Sequence, residues 1–379
     1  MKMRSILAVL LACCMLLPLT AFAAEAETEV DLNKLAVSYM EEIPETAFGG
    51  MYYNEAGQLV VNIKEDSAVS IAVPLSGDVV VETVQYSLAE LEAMKDCFEP
   101  YMQEYHIVTL DADEVNNTVA IEVTQDDESI YALIESLEDI DPSIVTVTVL
   151  SSDFAIENTV VHCDEIEIGE VPAEFAGMYE ENSERAVGSS VTIYPGMKIY
   201  VEKSTGYNEF TAGPRYNSTT FCTAGHGVGD IGRPDVYSAT YTELGTVSSY
   251  TFGSSGDHCF VKAGGSGVLP SSNTLYAQTG KYTISPSGLV GNSVEMWGGK
   301  SGITSGKITA TNLTASVSGT TVKGLSSASY TCQGGDSGAA VFSAGVATDS
   351  AGLCYGIHSA GSNKDSNDVY HTSYFSPLA

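Results

Sequence analysis

Three short glycine-rich segments in the last half of the chain contain residue types that can perform nucleophilic catalysis. In chain order they are residues 223–227 with His226, residues 256–258 with Asp257, and residues 334–338 with Ser337. A serine hydroxyl is a weak nucleophile until an imidazole accepts its proton, and that imidazole needs a carboxylate to fix its tautomer. Glycines permit tight turns that expose a hydroxyl and aim N–H groups at a developing oxyanion. The segments therefore predict a base, an orienting acid and a nucleophile.

The motifs Thr-Ala-Gly-His at 223–226 and Gly-Asp-Ser-Gly at 335–338 resemble those of chymotrypsin-like serine proteases. The order His, Asp, Ser is similar to that of the bacterial α-lytic protease and streptogrisin branch. The resemblance covers most of the last half and is clearest at these motifs, at 302–310 and at 356–359. Each motif alone occurs in many ordinary turns. All three in this order favour a protease.

The resemblance implies a role for each of these residues. His226 is the general base, Asp257 its orienting partner and Ser337 the nucleophile, and the N–H groups of Gly335 and Ser337 form the oxyanion hole. From the residues alone, short strands with Gly, Ser and Thr turns indicate an all-β sandwich or barrel. The resemblance selects a double six-stranded barrel, with His226 and Asp257 from the first barrel and Ser337 from the second.

The start of the chain has the pattern of a secretory signal peptide. Lys2 and Arg4 precede an apolar run over residues 6–17, and Ala-Phe-Ala follows at 21–23. The run is too short to span a bilayer, and no later stretch approaches the roughly 18 apolar residues that a span needs. We therefore expect residues 1–23 to be removed and the protein to be secreted, with no membrane span.

A change in charge divides the remaining chain. Residues 24–190 contain 38 acidic and 4 basic residues, a net charge of −34, whereas residues 191–379 contain 11 acidic and 10 basic residues. Residues 180–185 read as a polar linker at this boundary. We therefore divide the chain into a front half, residues 24–185, and a back half, residues 186–379. The acidity of the chain excludes a basic nucleic-acid-binding surface.

The front half shows regular apolar periodicity and is predicted to be an α+β module. A hairpin is predicted at 48–63, a helix capped by Ser87, strands near 107–110 and 119–123, a helix near 129–137 and a strand at 144–150. The hairpin and first helix resemble streptogrisin-type pro-regions. That resemblance implies a removable folding aid and inhibitor, and a zymogen. The alternative is an independent acidic domain that stays attached.

Six cysteines remain after removal of the signal peptide: Cys97, Cys163, Cys222, Cys259, Cys332 and Cys354. An exported chain can hold disulfides. We predict Cys222–Cys259, because these residues flank His226 and Asp257, and Cys332–Cys354, which would close a loop around the nucleophile. Gly227 stands where the resembling family has a cysteine, so the family's first disulfide is not expected.

By resemblance, the substrate pocket is lined by Gly334 and by the strand that carries His358, Ser359, Ala360 and Gly361, with Ser359 bonded to the orienting carboxylate. The sequence Gly-Ile-His at 356–358 resembles the glutamate-specific members, in which a histidine receives the substrate carboxylate. A polarised or protonated imidazole can hydrogen-bond an anion.

Two alternatives remain beside a preference for Glu, or Asp, before the cut. His358 is a satisfied strand residue in the first, and the pocket then takes an apolar or small side chain. In the second, the protein is a catalytically silent binding protein on the protease fold. Polypeptide substrates, no cofactor, no metal site, no nucleic acid and a monomeric state are expected. His371 is a possible support for His358, and Lys300 a counter-charge for buried Asp336.

Overall fold

The computed structural model describes residues 31–125, 127–138, 140–150, 160–161, 190–204, 206–229, 232–269, 283–284, 288–345 and 352–378. The predicted signal peptide, the linker at 180–185 and Cys163 lie outside these residues.

The front half contains helices packed against short strands. Its elements are α1 (Leu32–Glu42), β1 (Phe48–Tyr53), β2 (Leu59–Lys64), β3 (Val79–Val84), α2 (Leu88–Asp96), a 3-10 turn (Glu99–Tyr101), β4 (Ile107–Asp113), β5 (Thr118–Val123), α3 (Glu128–Ser136), a 3-10 turn (Pro142–Ile144), β6 (Val145–Val149) and β7 (Val160–Val161). β1, β2 and β3 form one sheet, in which β1 and β2 are antiparallel and β3 is parallel to β2.

The start of α2 follows directly from the sequence. The Ser87 side chain accepts a hydrogen bond from the Glu90 N–H, and the Glu90 carboxylate accepts one from the Ser87 N–H, which is a complete capping box. Leu91 and Phe98 on the inner face are fully buried against β4 and β5. The predicted helix is therefore confirmed. α1 and β3 were not predicted.

The back half is mostly β, as predicted. Its strands are β8 (Val191–Thr192), β9 (Lys198–Lys203), β10 (Gly206–Thr211), β11 (Arg215–Asn217), β12 (Thr220–Thr223), β13 (Asp235–Ser238), β14 (Glu243–Gly253), β15 (Gly256–Ala263), β16 (Gly267–Val268), β17 (Thr283–Ile284), β18 (Ser293–Gly298), β19 (Gly302–Val317), β20 (Thr320–Ala328), β21 (Ala340–Ser343), β22 (Leu353–Lys364) and β23 (Tyr370–Pro377).

These strands form two large sheets. The order of the first is β11-β12-β15-β14-β13-β9-β10-β7, and that of the second is β18-β21-β22-β23-β20-β19-β4-β5-β6, with β17 beside β22 and a further pairing of β18 with β19. Among the described residues the predicted pair of closed six-stranded barrels is not observed. Instead, two strands that precede the back half, β7 and β4, extend these sheets at β10 and β19.

The two halves of the chain share backbone hydrogen bonding. β4 pairs with β19, with Leu110 opposite Thr314. Beside this contact the buried Lys95 ammonium donates to the Asn312 carbonyl (2.9 Å), and the Asn312 amide donates to Glu92 (2.7 Å). A continuous sheet and a buried charge therefore fix the front half on the β19–β20 hairpin.

Glu114 is a second buried charge at the contact between the halves. Thr311 Oγ1 of β19 donates to its Oε1 (3.3 Å), while the Asn62 amide of β2 donates to its backbone carbonyl (2.7 Å). Burial raises the pKa of Glu114 to about 7, although hydrogen bonds from Met51 and Thr311 oppose the change. The ionised form is therefore disfavoured in the folded chain.

Glu114→Gln is expected to stabilise the full chain at pH 8 and to leave it nearly unchanged at pH 4. Because folding raises this pKa from 4.5 to about 7, the stability contributed by the wild-type carboxyl is full below pH 4.5 and is lost as the pH rises through 7. A shift of this size corresponds to about 3 kcal/mol. Urea unfolding midpoints at both pH values measure it, with exposed Glu104→Gln as the control. Equal effects of Glu114→Gln at the two pH values would contradict this explanation.

Candidate active site

His226 lies in the tight turn that follows β12. Gly225 allows that turn, because a Cβ at this position would lie 2.0 Å from the Thr251 carbonyl oxygen. The Asn208 amide donates to the Gly227 carbonyl (2.9 Å) and ties the far side of the turn to β10. A hydrogen bond thus anchors the residue after the histidine, where the resembling family has a cysteine.

Asp257 begins β15 and is completely buried beside this turn. Its Oδ1 accepts the N–H groups of Gly225 (2.7 Å) and His226 (2.8 Å), and its Oδ2 accepts from the His226 Nδ1 (2.6 Å) and from Ser359 Oγ. Burial acts to raise the pKa of Asp257, but the adjacent imidazole and these hydrogen bonds lower it below its usual value. The carboxyl is therefore ionised and orients the imidazole.

The contact with Asp257 determines which imidazole nitrogen of His226 can accept a proton. With Nδ1–H donating to the carboxylate, a neutral ring leaves Nε2 as an acceptor. That Nε2 is buried and has no hydrogen-bond partner in the described part of the chain. The rings of Phe210 and Phe252 pack at 5.3 and 5.9 Å between centroids. His226 Nε2 is therefore available to accept one proton from a neighbouring donor.

Ser337 lies in the loop between β20 and β21, and two glycines shape that loop. Gly335 has φ +102° and Gly338 has φ +92°, conformations that favour glycine. A Cβ at Gly338 would lie 2.1 Å from Thr223 Oγ1, at the end of β12. The loop therefore approaches the strand that leads into His226.

Hydrogen bonds fix the backbone of the Ser337 loop but leave two of its N–H groups without an acceptor among the described residues. Thr211 Oγ1 donates to the Gly335 carbonyl (2.9 Å) and accepts from the Gly299 N–H (2.9 Å), so it fixes the orientation of the peptide that follows Gly335. Among the described residues, the N–H groups of Gly335 and Ser337 have no acceptor. These two donors are the ones that the sequence assigned to an oxyanion hole.

Asp336 is held by backbone groups. The N–H groups of Lys300 (2.9 Å), Ser301 (3.0 Å) and Gln333 (2.9 Å) donate to its carboxyl oxygens. Burial raises the pKa of Asp336 despite these bonds. The expected ammonium counter-charge from Lys300 is therefore replaced by its backbone N–H, because Lys300 and Ser301 turn their amides toward the carboxyl.

Ser359 connects the nucleophile loop to the acid. Its Oγ donates to Asp257, and its carbonyl oxygen lies 3.5 Å from Ser337 Oγ. The structure thus gathers His226, Asp257 and Ser337 around one residue of β22. It does not form a His226–Ser337 hydrogen bond, since the long contact of the serine hydroxyl is with Ser359.

The site is closed in the full chain. The His226 side chain is 1% exposed and Ser337 is 7% exposed.

The predicted pocket residues occupy one strand beside the nucleophile. Four of them, His358, Ser359, Ala360 and Gly361, belong to β22 and are buried, whereas Gly334 is half-buried in the nucleophile loop. A Cβ at Gly361 would lie 2.6 Å from the Tyr370 ring and 2.9 Å from Cys332 Sγ. Gly361 therefore packs closely against Tyr370 and Cys332.

His358 is neutral and has an unforeseen partner. The Tyr330 hydroxyl lies 3.0 Å from His358 Nδ1. Burial, followed by the His226 charge, lowers the pKa of His358 to about 3, against an opposing effect of Asp257. This excludes the protonated imidazole considered from the sequence. His371 does not support His358, since it is exposed and contacts Asp365 (3.3 Å).

Neither predicted disulfide is formed among the described residues. Thr223 is opposite Cys259 in the β12–β15 pair. Because side chains alternate along a strand, Cys222 and Cys259 face opposite sides of the sheet. Cys332 and Cys354 likewise belong to different buried clusters, Cys332 with Tyr370 and Cys354 with Cys222.

No family model matches the chain, and no curated protein does. The search of solved structures finds bacterial chymotrypsin-like serine proteases as neighbours. They include a chymotrypsin from Cellulomonas bogoriensis at 23% identity (49% of this chain, 92% of that chain) and a Nocardiopsis protease at 23% (49% and 93%). A glutamic acid specific serine protease that uses a histidine triad in substrate binding is 22% identical (49% and 93%). The TM-score is 0.37 for all three.

Within the described ranges, no three His, Cys, Asp or Glu side chains gather as metal ligands would. No helix in the same ranges is long and apolar enough to cross a membrane.

Proposed function

We propose that the chain is the zymogen of a secreted serine endopeptidase in which His226, Asp257 and Ser337 act together. One observation carries the proposal. The His226 imidazole is bonded through Nδ1 to an ionised buried carboxylate, and Ser359 contacts both that carboxylate, through its Oγ, and the Ser337 hydroxyl, through its carbonyl oxygen (3.5 Å).

The proposed reaction proceeds through an acyl-enzyme. Ser337 Oγ turns from the Ser359 carbonyl and gives its proton to His226 Nε2 as it attacks the peptide carbonyl carbon. The N–H groups of Gly335 and Ser337 stabilise the resulting oxyanion. The imidazolium then protonates the leaving amine and the C–N bond breaks. His226 Nε2 then takes a proton from water as the water oxygen attacks the acyl carbon, and the imidazolium returns that proton to Ser337 Oγ as the ester bond breaks and the acid is released.

Closure of the site supports the zymogen part of the proposal. The front half adds β4 to β19 and the catalytic groups are covered in the full chain. We propose that the front half is a pro-region that aids folding and inhibits, that the signal at 1–23 directs secretion, and that the mature form, residues near 186–379, is a monomer. Cleavage near 180–185, which offers Glu180, Glu181 and Glu184, would release it.

We further propose a preference for Glu, or Asp, before the scissile bond, with polypeptides as substrates. Two observations support this preference: His358 precedes Ser359 on β22, and the charges of His226 and Asp257 act on its imidazole. A neutral imidazole N–H can donate a hydrogen bond to a carboxylate. An apolar substrate side chain would leave that donor unpaired, so its binding is less favourable.

A matched set of peptides tests the proposed function. The processed protein is given peptides identical except for Glu, Asp, Phe or Ala before the cut, and kcat/KM is measured for each. Fastest cleavage of the Glu peptide supports the full proposal. Fastest cleavage of the Phe or Ala peptide would contradict the proposed preference for Glu or Asp. If folded, processed protein cleaves none of the peptides, the proposed endopeptidase activity is wrong.

A further inference from the structure

Tyr330 and His358 form a buried pair behind the nucleophile. Tyr330 is 0% exposed and His358 is 2% exposed. The Tyr330 hydroxyl is 3.0 Å from His358 Nδ1, and the two rings meet edge to face with centroids 5.6 Å apart. Tyr330 lies seven residues before Ser337 in the chain, in no motif that the sequence analysis used.

The backbone of His358 is fixed to the nucleophile loop. Its N–H donates to the Ala339 carbonyl (2.8 Å), and its carbonyl accepts the Gly338 N–H (2.8 Å). Ser373 Oγ donates to the Tyr330 carbonyl (2.7 Å) and fixes the other partner to β23. These bonds fix the backbone of His358 relative to Ser337, and the contact of the imidazole with the Tyr330 hydroxyl is added to them.

Hydrogen bonding selects that tautomer. In the described part of the chain the Tyr330 hydroxyl contacts a single polar group, Nδ1 of His358. If Nδ1 carried the proton, the buried O–H would have no acceptor, which is unfavourable. The stable arrangement has Tyr330 O–H donating to Nδ1, so the ring proton is on Nε2.

Both groups keep these protonation states over the working pH range. Burial, with smaller effects of Cys332 and Asp336, raises the pKa of Tyr330 far above its usual value, and burial lowers that of His358 to about 3. The charged groups that act on His358 are His226 and Asp257. The pair therefore presents an uncharged N–H donor at neutral pH.

We propose that Tyr330 is a positioning residue for substrate selection, whose hydroxyl holds His358 in the tautomer that donates from Nε2 to the carboxylate of a glutamyl side chain. This inference rests on the proposed function and extends it. It assigns recognition of the acidic side chain to a neutral tyrosine–histidine relay.

Tyr330→Phe tests the proposal. The ring is kept and only the donor is lost, so kcat/KM for the Glu peptide is expected to fall about 10- to 100-fold, as for loss of a buried hydrogen bond. The value for the Phe peptide is expected to change less than about threefold. Tyr374→Phe removes another buried tyrosine hydroxyl, bonded to Ser362 (3.1 Å), and is expected to leave the Glu-to-Phe ratio unchanged.

Two further measurements separate positioning from general structure. In a His358→Ala background, Tyr330→Phe is expected to have no additional effect on the ratio. In the wild type, the Glu-to-Phe ratio is expected to stay constant from pH 5.5 to 8.5, because burial keeps the His358 imidazole uncharged over this range. The proposal is overturned if Tyr330→Phe leaves the Glu-to-Phe ratio of kcat/KM unchanged. It is also overturned if this ratio in the wild type falls as the pH rises, with an apparent pKa near 6.5. Loss of cleavage of every peptide by wild type overturns the proposed function instead.

Discussion

Ser337→Ala is expected to lower kcat/KM of the processed protein by at least about 10⁴-fold on its best peptide. The reason is that alanine removes the hydroxyl to which the proposal assigns the attack on the peptide carbonyl. The residual activity comes from groups that remain, the oxyanion donors and the binding surface. If maturation is autocatalytic, the variant also accumulates as an unprocessed precursor, visible as the full-length band on a denaturing gel.

Ser248→Ala is the matched control, because Ser248 is an exposed serine that donates to the Phe260 carbonyl (2.8 Å). It should process and cleave as the wild type does. Circular dichroism establishes that both variants fold. A folded Ser337→Ala variant that keeps more than a tenth of the activity would contradict the assignment of the nucleophile, and normal maturation of an inactive variant would assign processing to another protease.

Asp257→Asn is expected to lower kcat by about 10⁴-fold while preserving the fold. The carboxylate accepts four hydrogen bonds, two from backbone N–H groups at Oδ1 and two from His226 Nδ1 and Ser359 at Oδ2. An asparagine that keeps the backbone bonds turns its NH₂ group toward Nδ1. The imidazole proton then moves to Nε2, and that nitrogen can no longer accept the proton of Ser337.

The control for this variant is Asp235→Asn. Asp235 accepts a hydrogen bond from Thr246 (2.8 Å) on β13 and β14, away from the site. Its substitution is expected to leave kcat unchanged. Activity within tenfold of wild type in Asp257→Asn would show that the carboxylate does not set the tautomer of His226.

Short-range sequence signals predicted the parts of the fold and site that local chemistry determines. Ser87 predicts a helix start because the capping box that it forms with Glu90 lies within four residues. The glycines around Ser337 likewise predict a tight loop, because the residue type itself permits positive φ. α1 was missed although Asp31 caps it, because its apolar residues directly follow an acidic stretch and were not read as a helix.

Contacts between distant segments were not predictable from motifs. Tyr330 and His358 are 28 residues apart, and only the folded chain brings the segment after β20 against β22. The predicted disulfides were wrong for the same reason. Proximity in the chain to the catalytic motifs does not show which face of its strand Cys222 or Cys259 occupies. The counter-charge at Asp336 was assigned to a side chain, whereas backbone N–H groups fill that place.

The sheets that include strands of both halves were also not predictable from the sequence. The back half was read alone, and strand pairing of β4 with β19 depends on an edge that only the folded back half offers. For that reason the sequence predicted strands correctly but not the sheets that they form.

A fluorophosphonate probe tests the central claim most directly, because it forms a covalent bond only with a serine that an adjacent base has activated. The processed wild-type protein is incubated with the probe and the modified peptide is mapped by mass spectrometry. We predict one adduct, on Ser337, that disappears in a His226→Ala variant of unchanged fold. An unmodified Ser337 in folded, processed protein would contradict the account.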